Sequence, residues 1–267
     1  MSDTVILESA GHGRDETERI WPTPQTESLY RERFPDDWAR YDFASQHVRG
    51  RRVLDCASGA GYGSWLLARA GAQSVIGVDV SEDALSWARG HFVLPSLEFR
   101  RSDGGSLPLE SGSVDQVVSL ETIEHVPAPK GFVKELARVL VPNGGLVMST
   151  PLTFGAARLK PSNRYHLREY DDEEFASLLS EDFEIVQRLG QHSSQSARYA
   201  DLKRAPGIGR LLRSGIHRLV PDGLRQRVRT WLLRSWGNRP AAWISSDDWM
   251  NAPVQIVVAR KRSTTER

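Results

Sequence analysis

The stretch at residues 53–63, Val-Leu-Asp-Cys-Ala-Ser-Gly-Ala-Gly-Tyr-Gly, limits the fold more than any other. A short apolar run after Arg51 and Arg52 meets an acid at Asp55 and then a turn holding Gly59, Gly61 and Gly63. Trp65, Leu66, Leu67, Ala68 and Ala70 follow with a helical apolar face, so the unit reads strand, tight turn, helix. Glycines in such a turn let backbone amides approach a ligand beside a helix N-terminus. A turn that receives a pyrophosphate spaces its glycines G-x-G-x-x-G. Here the spacing is Gly59-x-Gly61-x-Gly63, and Asp55 at the strand end would repel a pyrophosphate but can face a cationic amine. The unit therefore predicts a nucleoside ligand with a positively charged tail.

Further strands repeat the pattern. Residues 75–80 read as a second buried strand ending at Asp79, where a carboxylate can accept hydrogen bonds from ribose hydroxyls. Ser81 is the better cap for the helix that follows, which leaves Asp79 for a ligand. Strand three, residues 97–101, leads to the turn signal Asp103-Gly104, and strand four, residues 116–120, leads to Glu121-Thr-Ile-Glu124-His125. A helix over 129–140 stops at Pro142-Asn143-Gly144-Gly145. Strand five covers 146–150, a helix 171–179, and strands six and seven 183–189 and 254–259. This alternation predicts a parallel sheet with helices on both faces. Its ligand crevice belongs at the carboxyl ends of the strands, where Asp55, Asp79, Asp103 and Glu121 fall in series.

With 267 residues and a net charge of +1, the chain has room for one α/β domain and an insertion. Cys56 is the only cysteine, Val5-Ile6-Leu7 is too short for the core of a signal peptide, and no apolar run approaches a membrane span. The expected setting is reducing and cytoplasmic. The expected division is a flexible arm at 1–20, an aromatic cap segment at 21–52, the binding core at 53–189, a basic helical insert at 190–250, and the last core strand and tail at 251–267.

The insert is the unusual part. Between residues 190 and 240 stand eleven Lys and Arg against two acids, Asp201 and Asp222. Two amphipathic patterns, one with Ile208, Leu211, Leu212 and Ile216 and one with Leu224, Val228, Trp231 and Trp236, carry arginines between their apolar positions. They read either as a helical lid packed on the domain or as a face for an anionic partner. For the second reading, residues 203–236 suit a membrane surface or an anionic lipid-linked substrate better than nucleic acid.

The residues quoted so far resemble the class I S-adenosylmethionine (SAM) dependent methyltransferases, whose first motif reads D-x-G/A-x-G-x-G. Arg40-Tyr41-Asp-Phe-Ala, Ser119-Leu-Glu-Thr-Ile-Glu-His-Val, Ser149-Thr-Pro and Asn163-x-x-His166-x-x-Glu169-Tyr170 extend the resemblance. They point to bacterial members that accompany glycosyltransferases in polysaccharide and glycosylated natural product pathways. The resemblance implies a Rossmann-like, seven-stranded, mostly parallel sheet with the last strand antiparallel. It implies SAM held by Tyr41, Asp55, Ala57, Ser58, Gly59, Gly61, Asp79, Val80, Asp103, Gly104 and Leu120, with Asp103 on the adenine amino group. Arg40 and Tyr41 would meet the methionine end. Ala60 and Leu152 depart from residues common in relatives at the pocket border.

Methyl transfer from a sulfonium asks for positioning more than covalent help, but a hydroxyl acceptor must lose a proton. His125 and His166 are the candidate general bases, since histidine titrates near working pH; either could instead be structural. The pattern Glu121-x-x-Glu124-His125 with His166 also resembles the small-RNA 3′-terminal 2′-O-methyltransferases and the ubiquinone-pathway O-methyltransferases. In those groups, these positions bind a divalent cation, so the resemblance implies Mg²⁺, Mn²⁺ or Zn²⁺ on Glu121, Glu124, His125 and His166. The function expected is O-methylation of a sugar, glycan or glycosylated natural product. RNA 2′-O-methylation comes next, and a SAM-binding scaffold or sensor without turnover is a third reading.

Overall fold

The computed structural model describes residues 21–153, 163–193, 242–247, 249 and 252–263. The arm at 1–20 and the amphipathic patterns at 203–236 lie outside the described residues.

Two helices, α1 (Glu27–Arg33) and α2 (Pro35–Ser45), precede the sheet. Pro35 opens α2 because a first-turn residue needs no N–H. The core then alternates β1 (Arg52–Cys56), α3 (Tyr62–Arg69), β2 (Ser74–Asp79), α4 (Glu82–His91), β3 (Leu97–Arg101) and β4 (Val114–Leu120). It continues with α5 (Pro129–Val139), β5 (Leu140–Pro151), α6 (Asp172–Leu179), β6 (Phe183–Ser193), β7 (Ala242–Ser245) and β8 (Val254–Lys261). Ser81 caps α4 by accepting from the Ala84 N–H, and Asp171 caps α6 by accepting from Glu174, ahead of three acids that suit the positive helix end.

One sheet runs in the order β3-β2-β1-β4-β5-β8-β6-β7. The first five strands in that order are mutually parallel, and β8 is antiparallel to both β5 and β6. The sheet has eight strands where seven were expected. The additional one, β7, lies within the stretch assigned to the insert and pairs antiparallel with β6, which itself runs on to Ser193. Trp243 and Ile244 stand side by side in a strand of only four residues, too short a run to read as a strand beside the arginine-rich patterns. The breaker at Pro142–Gly144 bulges β5 rather than preceding it: Leu140 pairs with Val114, the next rung is Gln116 with Gly145, and Asn143 takes a φ of 61°.

Strands β1 and β4 are buried on both faces, which is why their apolar runs do not alternate. One face packs Leu54, Val117 and Met148 on Phe132, Leu136 and Phe175 of α5 and α6. The other packs Val53, Val118 and Val147 on Leu67 of α3 and Ala44 of α2. The strand order reverses between β1 and β4, and a crevice opens there at the carboxyl ends.

Candidate active site

The crevice is a cavity of about 830 Å³. On its β1–β2 side, Ala57 and Gly59 take left-handed backbone, φ 67° and 54°, as the turn leaves the strand. Gly61, φ 87°, caps α3, and a Cβ there would lie 2.5 Å from Ala88 and 2.7 Å from Phe99, so only glycine fits. Asp79 braces this turn: its Oδ2 accepts the Gly59 N–H at 2.8 Å and its Oδ1 the Ser81 N–H at 2.9 Å. Asp79 also forms part of the cavity wall. Asp103 accepts from the Gly105 N–H at 2.9 Å and is exposed at the wall, where Val80 is 56% exposed.

Asp55 sits behind the turn and does not line the cavity. Ser64 Oγ donates to it at 2.6 Å and Tyr41 Oη at 3.3 Å. Burial pushes its carboxyl up to about 7, against those two hydrogen bonds, which favour the ionised form. Tyr41 lies against the start of α3, where a Cβ on Gly63 would come within 1.9 Å of its ring. Ser58, Gly61 and Leu120 likewise stand behind the lining. Of the residues assigned to SAM, the cavity wall is formed by Ala57, Gly59, Asp79, Val80, Asp103 and Gly104.

The other side of the cavity begins at Glu121, a non-glycine residue at φ 49° as the chain leaves β4. Ser149 of β5 holds it there: the Ser149 hydroxyl accepts the Glu121 N–H at 3.0 Å and donates to Glu121 Oε1 at 2.7 Å. Next along β5, Thr150 donates to Glu124 Oε2 at 3.2 Å. Glu124 has no exposed surface and its Oε1 has no hydrogen-bond partner among the described residues; burial first, then Glu121, pushes the carboxyl up to about 9. The Glu124 carbonyl accepts the N–H of Leu167 and Arg168, and Leu152 bridges to Tyr170, so residues 163–170 are clamped over this turn.

That clamp fixes both histidines, differently. His125 Nδ1 lies 3.0 Å from the Tyr165 carbonyl, which can only accept, so Nδ1 carries the proton and Nε2 keeps its lone pair. His166 Nδ1 donates to Glu169 Oε1 at 2.8 Å, and its Nε2 accepts from the Asn163 side-chain amide at 3.0 Å, so both ring nitrogens are engaged. The rings stand edge to face with centroids 4.9 Å apart.

For a cation, one atom each from Glu124, His125 and His166 lie within 4.8 Å of one another. Glu121, the fourth expected ligand, is outside that group with Oε1 on Ser149, and the His166 Nε2 is taken by Asn163. As arranged, Glu121 stands outside the cluster and the His166 Nε2 is occupied, so the four donors that the resemblance implies do not converge on one point. Sequence reasoning gave no part to Asn163, Glu169, Ser149 or Thr150, although all four stand in the motifs it quoted; the three-residue spacing of Asn163 and Glu169 about His166 was the available signal. Asp37 also lines the cavity, ion-paired to Arg40, whose guanidinium is buried and donates to Gln191 Oε1 at 2.7 Å.

Residues 54–148 match the family model described as a methyltransferase domain. The "Probable S-adenosylmethionine-dependent methyltransferase" of Mycolicibacterium smegmatis is 35% identical over 185 residues, 68% of this chain and 70% of its own. A ubiquinone biosynthesis O-methyltransferase of Xanthomonas oryzae is 34% identical over 148 residues, 49% of this chain and 62% of its own. Among solved structures, a SAM-dependent methyltransferase of Thermotoga maritima superposes with a TM-score of 0.59 at 15% identity, covering 89% of this chain and 97% of its own. The cyclase SpnF superposes at 0.56 with 21% identity, covering 85% and 81%, so this likeness speaks for the fold and not for the reaction. A glycine turn braced by Asp79, acids closing successive strands, and the M. smegmatis relative together identify the chain as a member of the SAM-dependent methyltransferase family.

Proposed function

We propose that this methyltransferase transfers the SAM methyl group to a hydroxyl of a sugar, glycan or glycosylated natural product, with His125 as general base. The observation that carries the reading is the Nε2 of His125 in the cavity wall, without a hydrogen-bond partner among the described residues, with the Nδ1 proton held by the Tyr165 carbonyl. Bound SAM supplies a methyl on a good leaving group, so the protein's task is to position the acceptor and take its proton. His125 Nε2 takes that proton. Around it Asp37, Arg40, Glu121, Thr122 and Asn163 give a polar wall, with Phe34 and Tyr165 as aromatic faces. Such a wall suits a polyol better than a long apolar tail. The Xanthomonas relative, an O-methyltransferase by name, supports oxygen as the acceptor atom. The cation has no part in this reading, because the four expected donors do not converge. Contact with a membrane surface or lipid-linked acceptor would fall to residues 203–236.

Transfer of labelled methyl from SAM to glycan extracts, compared with RNA, tests the acceptor. His125→Ala should lower kcat by about 10²–10⁴ while leaving the affinity for S-adenosylhomocysteine intact. Full turnover in that variant, or label entering RNA alone, would sink the reading. A scaffold would show no transfer in wild type to any acceptor.

A further inference from the structure

Asn163 is placed oddly for a residue beside a catalytic centre: its side chain faces two ways at once. Its Oδ1 accepts the Tyr165 N–H at 3.0 Å, which fixes the amide's orientation, so its Nδ2 points a hydrogen at His166 Nε2. On the other side of the ring, Glu169 takes the Nδ1 proton, and Glu169 is itself buried and hydrogen bonded to Thr153. The ring is therefore pinned at both nitrogens, the amide N–H standing where a cation would sit. Its neighbours are arranged otherwise. The His125 Nε2 and the Glu124 Oε1 have no hydrogen-bond partner among the described residues. The cluster has two open donors and one that is closed by a single amide.

We propose that Asn163 acts as an internal stopper on the Glu124–His125–His166 cluster, occupying the His166 Nε2 so that the centre works by hydrogen bonding rather than as a cation site. A histidine whose Nδ1–H is held by a carboxylate or carbonyl, with Nε2 free, is the usual arrangement of a metal ligand. Both histidines here have the first half of that arrangement, and Asn163 denies His166 the second. Glu121 lies outside the cluster, so loss of the stopper would expose three donors, not four. His166 in this scheme is a positioning residue. It packs edge-on against the base His125 and keeps the 163–170 segment over it.

The test is a cation titration that needs no turnover. Mn²⁺ binding to the purified full-length chain would be followed by electron paramagnetic resonance in wild type, Asn163→Asp, Asn163→Ala and the double variant Asn163→Ala/His166→Ala. Asn163→Asp keeps the acceptor for the Tyr165 N–H while removing the amide donor, so it preserves the turn if the alanine variant misfolds. Thermal melts check folding in each case. Wild type should bind Mn²⁺ weakly. Both single variants should bind at least about tenfold tighter, the scale on which supporting groups tune metal sites, and the double variant should lose the gain. Wild type already binding one Mn²⁺ per chain as tightly as the variants, or well-folded variants that gain nothing, would overturn the proposal. The inference rests on His125 as base only for what the open centre does. A failed methyl assay with a successful titration would therefore reject the function and keep the stopper.

Discussion

At Asp55, burial and hydrogen bonding pull in opposite directions, and burial wins. The carboxyl titrates at about 7 in the folded chain against 3.8 as a free group. A group raised in this way stabilises the fold fully below its unfolded value, and that contribution is lost as pH rises through the folded one. Three units correspond to about 4 kcal/mol. Asp55→Asn cannot ionise, so the ligand-free variant should gain stability over wild type as pH rises from 4 to 7, by up to about 3–4 kcal/mol at pH 8. Urea denaturation at pH 5 and pH 8 measures it; parallel pH profiles for the two proteins would count against it. The acid itself was plain in the sequence, because a carboxylate ending an apolar run is conspicuous. Its concealment was not, since the Tyr41 that covers it comes from another helix. The two histidines show the same limit. Their presence in loops after strands was readable, but which nitrogen each keeps free depends on Tyr165, Asn163 and Glu169, and only the fold brings Tyr165 to His125.

Helix α3 begins with residues selected for what lies against them. Gly63 is in its first turn, and any side chain there would strike the Tyr41 ring. Gly63→Ala should cost about 1–3 kcal/mol, the usual range for overpacking, and should shift Tyr41 away from Asp55. Denaturant titration and near-ultraviolet circular dichroism would read the two effects, and an alanine variant of unchanged stability would refute the placement. Of the elements, the buried strands and the capped helices were legible because apolar runs, Ser81, Asp171 and Pro129 act locally. Strand β7 was not, because four residues acquire strand character only from pairing with β6. The bulge in β5 escaped for a related reason: a Pro-Asn-Gly-Gly signal says that the chain turns, not that it resumes the same strand.

Across the whole molecule, α2 is tied to β6, the strand beside the sheet edge, by a reciprocal pair of hydrogen bonds. Arg40 donates to Gln191 Oε1, and Gln191 Nε2 donates to the Asp36 carbonyl at 2.7 Å, joining α2 to β6. Gln191→Leu leaves a buried guanidinium short of an acceptor and should cost about 1.5–3 kcal/mol. Adding Arg40→Met should recover part of the loss, because the uncompensated charge is gone. Urea denaturation of the single and double variants tests this, and additive losses would argue against the pairing. No sequence pattern links residues so far apart. Two rungs from that pair, Ser193 faces Ala242, so the two residues that flank the stretch 194–241 sit at adjacent positions on neighbouring strands. Closing a loop between fixed ends costs only a logarithm of its length. The stretch between those two residues can thus be lengthened, shortened or exchanged during evolution while the methyl-transfer centre stays as it is, which makes this rung a natural point for diversification among relatives.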